Sequence, residues 1–253
     1  MPSGPPLFML SGIHVYRELA KRLRGRCSSY GVFTRRELGA FVPASGFHSI
    51  EDLARDYLAI IRSQQPAGPY RLLGYSFAGI VAYELAQQLR RAGEEVRLLA
   101  LVDTGLPEWL LGWRYRVSQI ARLWSAPRRD VVTFAARRLK LAPPGADSLR
   151  YRDDKKLGPL EQRRDDANRA AAAHYMPGIR PFAGDVTLIV SGERLRTDPL
   201  KSRCCGWSPY VPSLDVHTVD VHHLHMLSDD SSVSEIAQVI AKQVQRAEAP
   251  RGN

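Results

Sequence analysis

Leu72-Leu73-Gly74-Tyr75-Ser76-Phe77-Ala78-Gly79-Ile80 decides the fold. The residues entering it, Pro69-Tyr-Arg-Leu-Leu-Gly, read as a short strand that ends in glycine. Those leaving it, Ala78 to Ala92, have the apolar spacing of an amphipathic helix and stop at Gly93. A serine between a strand and a helix, flanked by small residues, is the setting of a nucleophile elbow. The turn must be tight so that the hydroxyl stands clear above the sheet, and Gly74 and Ala78 let the two backbones approach around it. A helix N-terminus there also favours a developing negative charge. The usual form is G-x-S-x-G; here the last position is Ala78, with Gly79 next. The plainer alternative is an ordinary glycine-containing turn in which Ser76 is a helix cap.

A serine nucleophile needs an imidazole beside it to take its proton, and the imidazole needs a carboxylate to hold its tautomer. On a fold of this kind the expected chain order is serine, acid, histidine. Two acids are candidates. Asp103 ends the apolar run Leu98–Val102, which reads as a fully buried parallel strand. That places it at the carboxyl edge of a sheet, where ligand chemistry belongs. Asp198 follows the later strand-like stretch Asp185–Ser191 by several residues. For the base, Val221-His222-His223-Leu224-His225-Met226-Leu227 offers three histidines, and spacing alone does not choose among them. Neither a helical i, i+4 pair nor nearby cysteines support a metal site there. His14, His48, His174 and His217 read as structural or exposed.

Outward from these residues the pattern is α/β, with a mostly parallel sheet flanked by helices. Leu7–Leu10 reads as a first strand and Tyr16–Leu23 as a helix. Ser49 reads as the N-cap of a helix that runs to about Gln65, before Pro66. Val216–Val221 reads as a last strand and Ser231–Gln245 as a terminal helix. Between Asp103 and Asp185 the character changes. Residues 108–173 are largely helical in pattern, rich in Trp and Arg, and broken at Pro143-Pro144-Gly145. A helical insertion at the mouth of a sheet reads as a lid within one domain spanning residues 1–253.

The 253 residues are enough for one large α/β core, and 44% hydrophobic against 25% charged is a globular balance. No run of about 18 apolar residues is present, so a spanning helix is excluded. The N-terminal MPSGPPLFML lacks the basic stretch that precedes the apolar run of a secretory signal. Three cysteines, Cys27, Cys204 and Cys205, make neither a disulfide framework nor a CxxC site, which fits a reducing, cytoplasmic setting. The formal charge is +10. From residue 108 to 170 there are fifteen Lys/Arg against eight Asp/Glu, and a second basic cluster runs through Arg17, Lys21, Arg22, Arg24 and Arg26. Zinc-finger spacing, RNP-type aromatics and a basic recognition helix are lacking, so an acidic protein is a better partner than nucleic acid.

Several stretches together resemble the thioesterase domains of polyketide and nonribosomal peptide synthases, which are α/β-hydrolases. They are Pro6-Leu-Phe, Tyr16-Arg-Glu-Leu-Ala, Ser49-Ile-Glu-Asp-Leu-Ala, Gln65-Pro-Ala-Gly-Pro-Tyr, Gly74-Tyr-Ser-Phe, Leu99-Ala-Leu-Val-Asp and His223-Leu-His-Met-Leu. The resemblance implies an α/β-hydrolase fold with a lid, and a triad of Ser76, Asp103 and His223. It implies an oxyanion hole made by the backbone N–H groups of Phe77 and Ile13. The loop that supplies the second donor, Ser11-Gly12-Ile13-His14, is shorter than the family's glycine-rich loop, and Val221-His222 stands where the family has glycine–aspartate. The implied substrate is an acyl, peptidyl or polyketide chain on the phosphopantetheine arm of a carrier protein, with no cofactor of the chain's own. Release would be by hydrolysis or macrocyclisation; the aromatics Trp109, Trp113, Trp124 and Phe134 read either as the lining of an apolar channel or as packing of the lid on itself. A carboxylesterase or lipase, an acyltransferase to an external acceptor, and a non-enzymatic binding module remain as alternatives.

Overall fold

The computed structural model describes residues 4–12, 14–37, 48–106, 159–197 and 203–249. Their strands form one six-stranded sheet in the order β2-β1-β3-β4-β5-β6, every neighbouring pair parallel. The strands are β1 (Pro6–Leu10), β2 (Ser28–Val32), β3 (Tyr70–Tyr75), β4 (Val96–Val102), β5 (Asp185–Ser191) and β6 (Ser213–Val219). The helices between and after them are α1 (Arg17–Arg22), α2 (Ile50–Gln64), α3 (Phe77–Arg91), α4 (Pro159–Tyr175), α5 (Gly192–Thr197) and α6 (Asp230–Glu248).

Side-chain alternation divides the core into two layers. Phe8, Leu72, Leu99, Leu101 and Leu188 face a cluster shared with α2 and α3. Met9, Leu73, Leu98, Ala100 and Ile189 face the cluster shared with α1 and α6. Apolar burial on both faces explains why the central strands read as continuous apolar runs. Strand order reverses between β1 and β3, so the crevice beside the end of β3 is the switch point where open α/β sheets bind ligands.

Most elements lie where the sequence places them. Ser49 caps α2, its hydroxyl accepting the Asp52 N–H at 3.0 Å. Gly93 takes a φ of +80° just after α3. Three elements differ from the sequence reading. β2 was not expected, because Ser28-Ser-Tyr-Gly-Val is poor in strand formers; it exists by pairing along all of β1, from Pro6 with Ser28 to Leu10 with Val32. β6 starts earlier than Val216 and ends at Val219, because Leu214 and Val216 both pack on the core and Asp185 pairs with Ser213. The six-residue α5 was not anticipated. The expected lid from 108 to 173 falls on described residues only from 159 onward, where α4 forms. Trp109, Trp113, Trp124 and Phe134 lie outside the described residues, as do Ile13 and Asp198.

Candidate active site

Ser76 links β3 to α3 with φ +54° and ψ −123°, a conformation that L-residues avoid and that costs about 1–3 kcal/mol. Its N–H donates to Val102 O at 2.8 Å, which ties the turn to β4. Glycine is required on both sides of it. A Cβ on Gly74 would stand 2.4 Å from Ala78 O, and one on Gly79 would stand 1.9 Å from Thr104 Oγ1. The departure from G-x-S-x-G therefore has a simple account. Ala78 is buried at the start of α3, and the glycine that allows close packing is the next one, against Thr104. Phe77 is the first residue of α3, so its N–H is one of the donors that a helix start leaves without an intrahelical partner.

Asp103 follows β4, with φ +43° and 1% exposure. Its turn is fixed from several directions. Asp103 N–H donates to Ile189 O at 2.6 Å, the buried Trp207 Nε1 donates to Thr104 O at 2.7 Å, and Thr104 Oγ1 donates to Ser76 O at 3.0 Å. The last bond joins the acid turn directly to the serine turn.

The carboxylate meets His223, which begins a short 3₁₀ turn after β6; Asp103 Oδ2 lies 2.5 Å from His223 Nδ1. Two donors from Ser191, at the end of β5, complete the cradle: N–H to Oδ1 and Oγ–H to Oδ2, each at 3.0 Å. Arg194 Nε lies 3.1 Å from Oδ1. Burial pushes this carboxyl up, but the His223 hydrogen bond, the charges of Arg194 and His223 and the Ser191 N–H outweigh it and hold it below the usual carboxylate range.

Tyr75, one residue before the serine, lies against the histidine. The two rings stack with centroids 5.0 Å apart and 24° between planes, and Tyr75 Oη donates to His223 O at 2.5 Å. On the other side of the serine turn, Tyr16 Oη accepts the Tyr75 N–H at 3.0 Å and donates to Leu10 O at 2.8 Å. The loop after β1 is held by Tyr57, whose hydroxyl accepts the Ser11 N–H at 2.8 Å and donates to Glu37.

Thus Asp103 and His223 are brought into contact, and Ser76 sits on a turn bonded to both loops through Thr104 and Tyr75. The other histidines of the cluster are engaged differently: His222 Nε2 is 3.2 Å from Glu193 Oε1, and the His225 carbonyl accepts from Ser228 and Asp229 N–H. Among the described residues no group of three or more His, Cys, Asp or Glu side chains forms a metal site. Ser191, Arg194, Thr104 and Tyr75 were not singled out from the sequence. The available signal was position: polar residues at the carboxyl ends of buried strands.

Comparison with known proteins agrees with this architecture. Residues 6–113 match the family model described as a thioesterase domain. Enterobactin synthase component F of Escherichia coli K12 is 30% identical over 233 residues, covering 89% of this chain. Vanchrobactin synthetase VabF of Vibrio anguillarum is 42% identical over 110 residues, 42% of the chain. The chain spans only 16% and 4% of those two proteins. The NocB thioesterase domain, solved as a covalent complex with a fluorophosphonate nocardicin G analog, is 26% identical with a TM-score of 0.59, covering 98% of this chain and 96% of that one. The type II thioesterase BorB from the borrelidin cluster shares the fold at 19% identity and a TM-score of 0.63, over 96% of this chain and 94% of that one. Residues 6–113 thus match the thioesterase-domain family, and in sequence and fold the chain is similar to the thioesterase domains of nonribosomal peptide and polyketide synthases.

Proposed function

We infer that the chain releases an acyl or peptidyl chain from the phosphopantetheine arm of a carrier protein by way of an ester on Ser76. The observation that supports this most is the Asp103–His223 hydrogen bond, 2.5 Å long, beside a strained serine turn at a helix start. In this reading Ser76 Oγ attacks the thioester carbonyl while the His223 ring takes its proton. Asp103 keeps Nδ1–H of that ring directed at itself, which leaves Nε2 as the base, and it balances the imidazolium once formed. The oxyanion is met by the Phe77 N–H at the start of α3, with the Ile13 N–H as the second expected donor. Collapse expels the pantetheine thiol, which takes the proton from His223. A water, or a hydroxyl or amine within the chain itself, then attacks the ester and frees Ser76.

The chemistry uses no cofactor of this chain; the phosphopantetheine arm belongs to the carrier, which is the proposed partner. The multidomain relatives support that partnership, since this chain matches only a small part of each. The test is turnover of a short acyl-pantetheine thioester, with an oxygen ester of the same acyl group as comparison. Thioester turnover is expected to exceed that of the oxygen ester, and Ser76→Ala is expected to fall to the uncatalysed rate. Undiminished turnover by Ser76→Ala would remove Ser76 from its role, and a preference for the oxygen ester would favour a carboxylesterase.

A further inference from the structure

Helix α5 starts where β5 ends, and two of its residues reach in different directions. Glu193 turns to the histidine loop: its carboxylate pairs with His222 Nε2 at 3.2 Å and accepts the His223 N–H at 3.4 Å. Arg194 turns to the acid loop: Nε lies 3.1 Å from Asp103 Oδ1, and Nη2 donates to the Asp103 carbonyl at 3.2 Å. The guanidinium reaches that place over Gly105, where a Cβ would stand 2.2 Å from Nη1. Gly105 has no left-handed φ, so room for the guanidinium is what the missing side chain supplies there.

The carboxylate is shared between these groups. Oδ1 takes the Ser191 N–H and the guanidinium; Oδ2 takes the Ser191 hydroxyl and the His223 ring. Ser191 alone already donates to both oxygens. What Arg194 adds is a permanent positive charge and a second anchor on the main chain of residue 103. A base paired with a fully uncompensated buried carboxylate holds its proton tightly and is then already protonated when it is needed. A fixed cation on the far oxygen counteracts that.

We propose that Arg194 is a positioning residue for the Asp103–His223 pair: it locks the rotation of the carboxylate and limits how tightly the pair keeps the proton taken from the nucleophile. This rests on the roles given above to Ser76, Asp103 and His223. The groups facing the pair include Ser191 and Arg194 on Asp103, and the Tyr75 ring and Glu193 on His223.

The test reads the imidazole directly, without turnover, by an NMR pH titration of ¹⁵N-histidine-labelled protein, with the His223 signal assigned by its loss in His223→Ala. In Arg194→Gln the midpoint of His223 is expected to rise by roughly one pH unit, the scale set by one partly screened charge lost nearby. The acid limb of kcat/KM should move up with it, and Arg194→Lys should restore most of both. Gly105→Ala, which displaces the guanidinium and keeps its charge, should shift the midpoint the same way but less, and should add nothing to Arg194→Gln. An unchanged midpoint in folded Arg194→Gln, or a lysine variant no better than glutamine, would overturn the proposal. If Arg194→Gln does not fold, an unchanged midpoint in Gly105→Ala overturns it instead. The expected shifts in a protein that cleaves no acyl thioester would uphold Arg194's role while sinking the thioesterase reading.

Discussion

Asp103 carries the heaviest electrostatic load of any single residue in the site. It is buried, charged, and bonded to Ser191, Arg194 and His223. Asp103→Asn keeps the shape but removes the charge and the preference for one imidazole tautomer. Its kcat is expected to fall on the order of 10³–10⁴-fold on an acyl thioester, by comparison with other triads. Asp198→Asn should change little, and a larger loss from Asp198→Asn would move the acid. The same residue shapes stability in acid. Its carboxyl is held below the usual range in the folded chain, so its contribution is fully present above the unfolded value of about 4. That contribution is lost as pH falls through the lower folded value. Urea midpoints measured from about pH 5 down to pH 2 should fall less steeply for Asp103→Asn than for the parent. Equal slopes would mean that the carboxyl is not depressed.

At the scale of elements, the serine turn and the acid turn are one packed unit. Gly79 of α3 lies against Thr104, and Thr104 Oγ1 holds Ser76 O. Gly79→Ala must push the threonine away, so a loss of about 1–3 kcal/mol in denaturant unfolding is expected, with reduced turnover in what remains folded. Ala78→Gly restores the usual motif but not this contact. It should cost only about 0.5–1 kcal/mol, from helix propensity, and leave turnover near the parent's. A Gly79→Ala protein with unaltered stability and rate would show that the contact has slack. The elements also show where reading the sequence fails. β3, α3, β4 and β5 are legible because each is a strong local pattern. β2 is not, because Ser28, Ser29 and Gly31 form a strand only when β1 is there to pair with them.

For the whole molecule, the formal charge of +10 is the property with an external consequence. A basic surface raises the encounter rate with an acidic carrier, and salt screens that attraction. With carrier-bound substrate, kcat/KM should drop several-fold between roughly 50 and 500 mM salt, while a free thioester mimic should be nearly insensitive. Equal salt dependence for both substrates would count against charge-steered docking.

The strands β1, β3, β4 and β5 with the helix α3, the parallel character of the sheet, the elbow at Ser76 and the place of Asp103 at a strand end, unlike β2 and α5, were determined by the sequence alone. Each is a local matter, settled within one strand and the turn that follows it. The resemblance of His223-Leu-His-Met-Leu pointed to one histidine, whereas spacing left three. That the Asp103 carboxylate meets His223 was decided only by the tertiary structure, because the contact joins residues 120 apart through the registers of β4, β5 and β6. The same holds for Ser191, Arg194 and the gap at Gly105. No periodicity marks a donor for a distant carboxylate, and parallel pairing alone brings the ends of those strands to one rim.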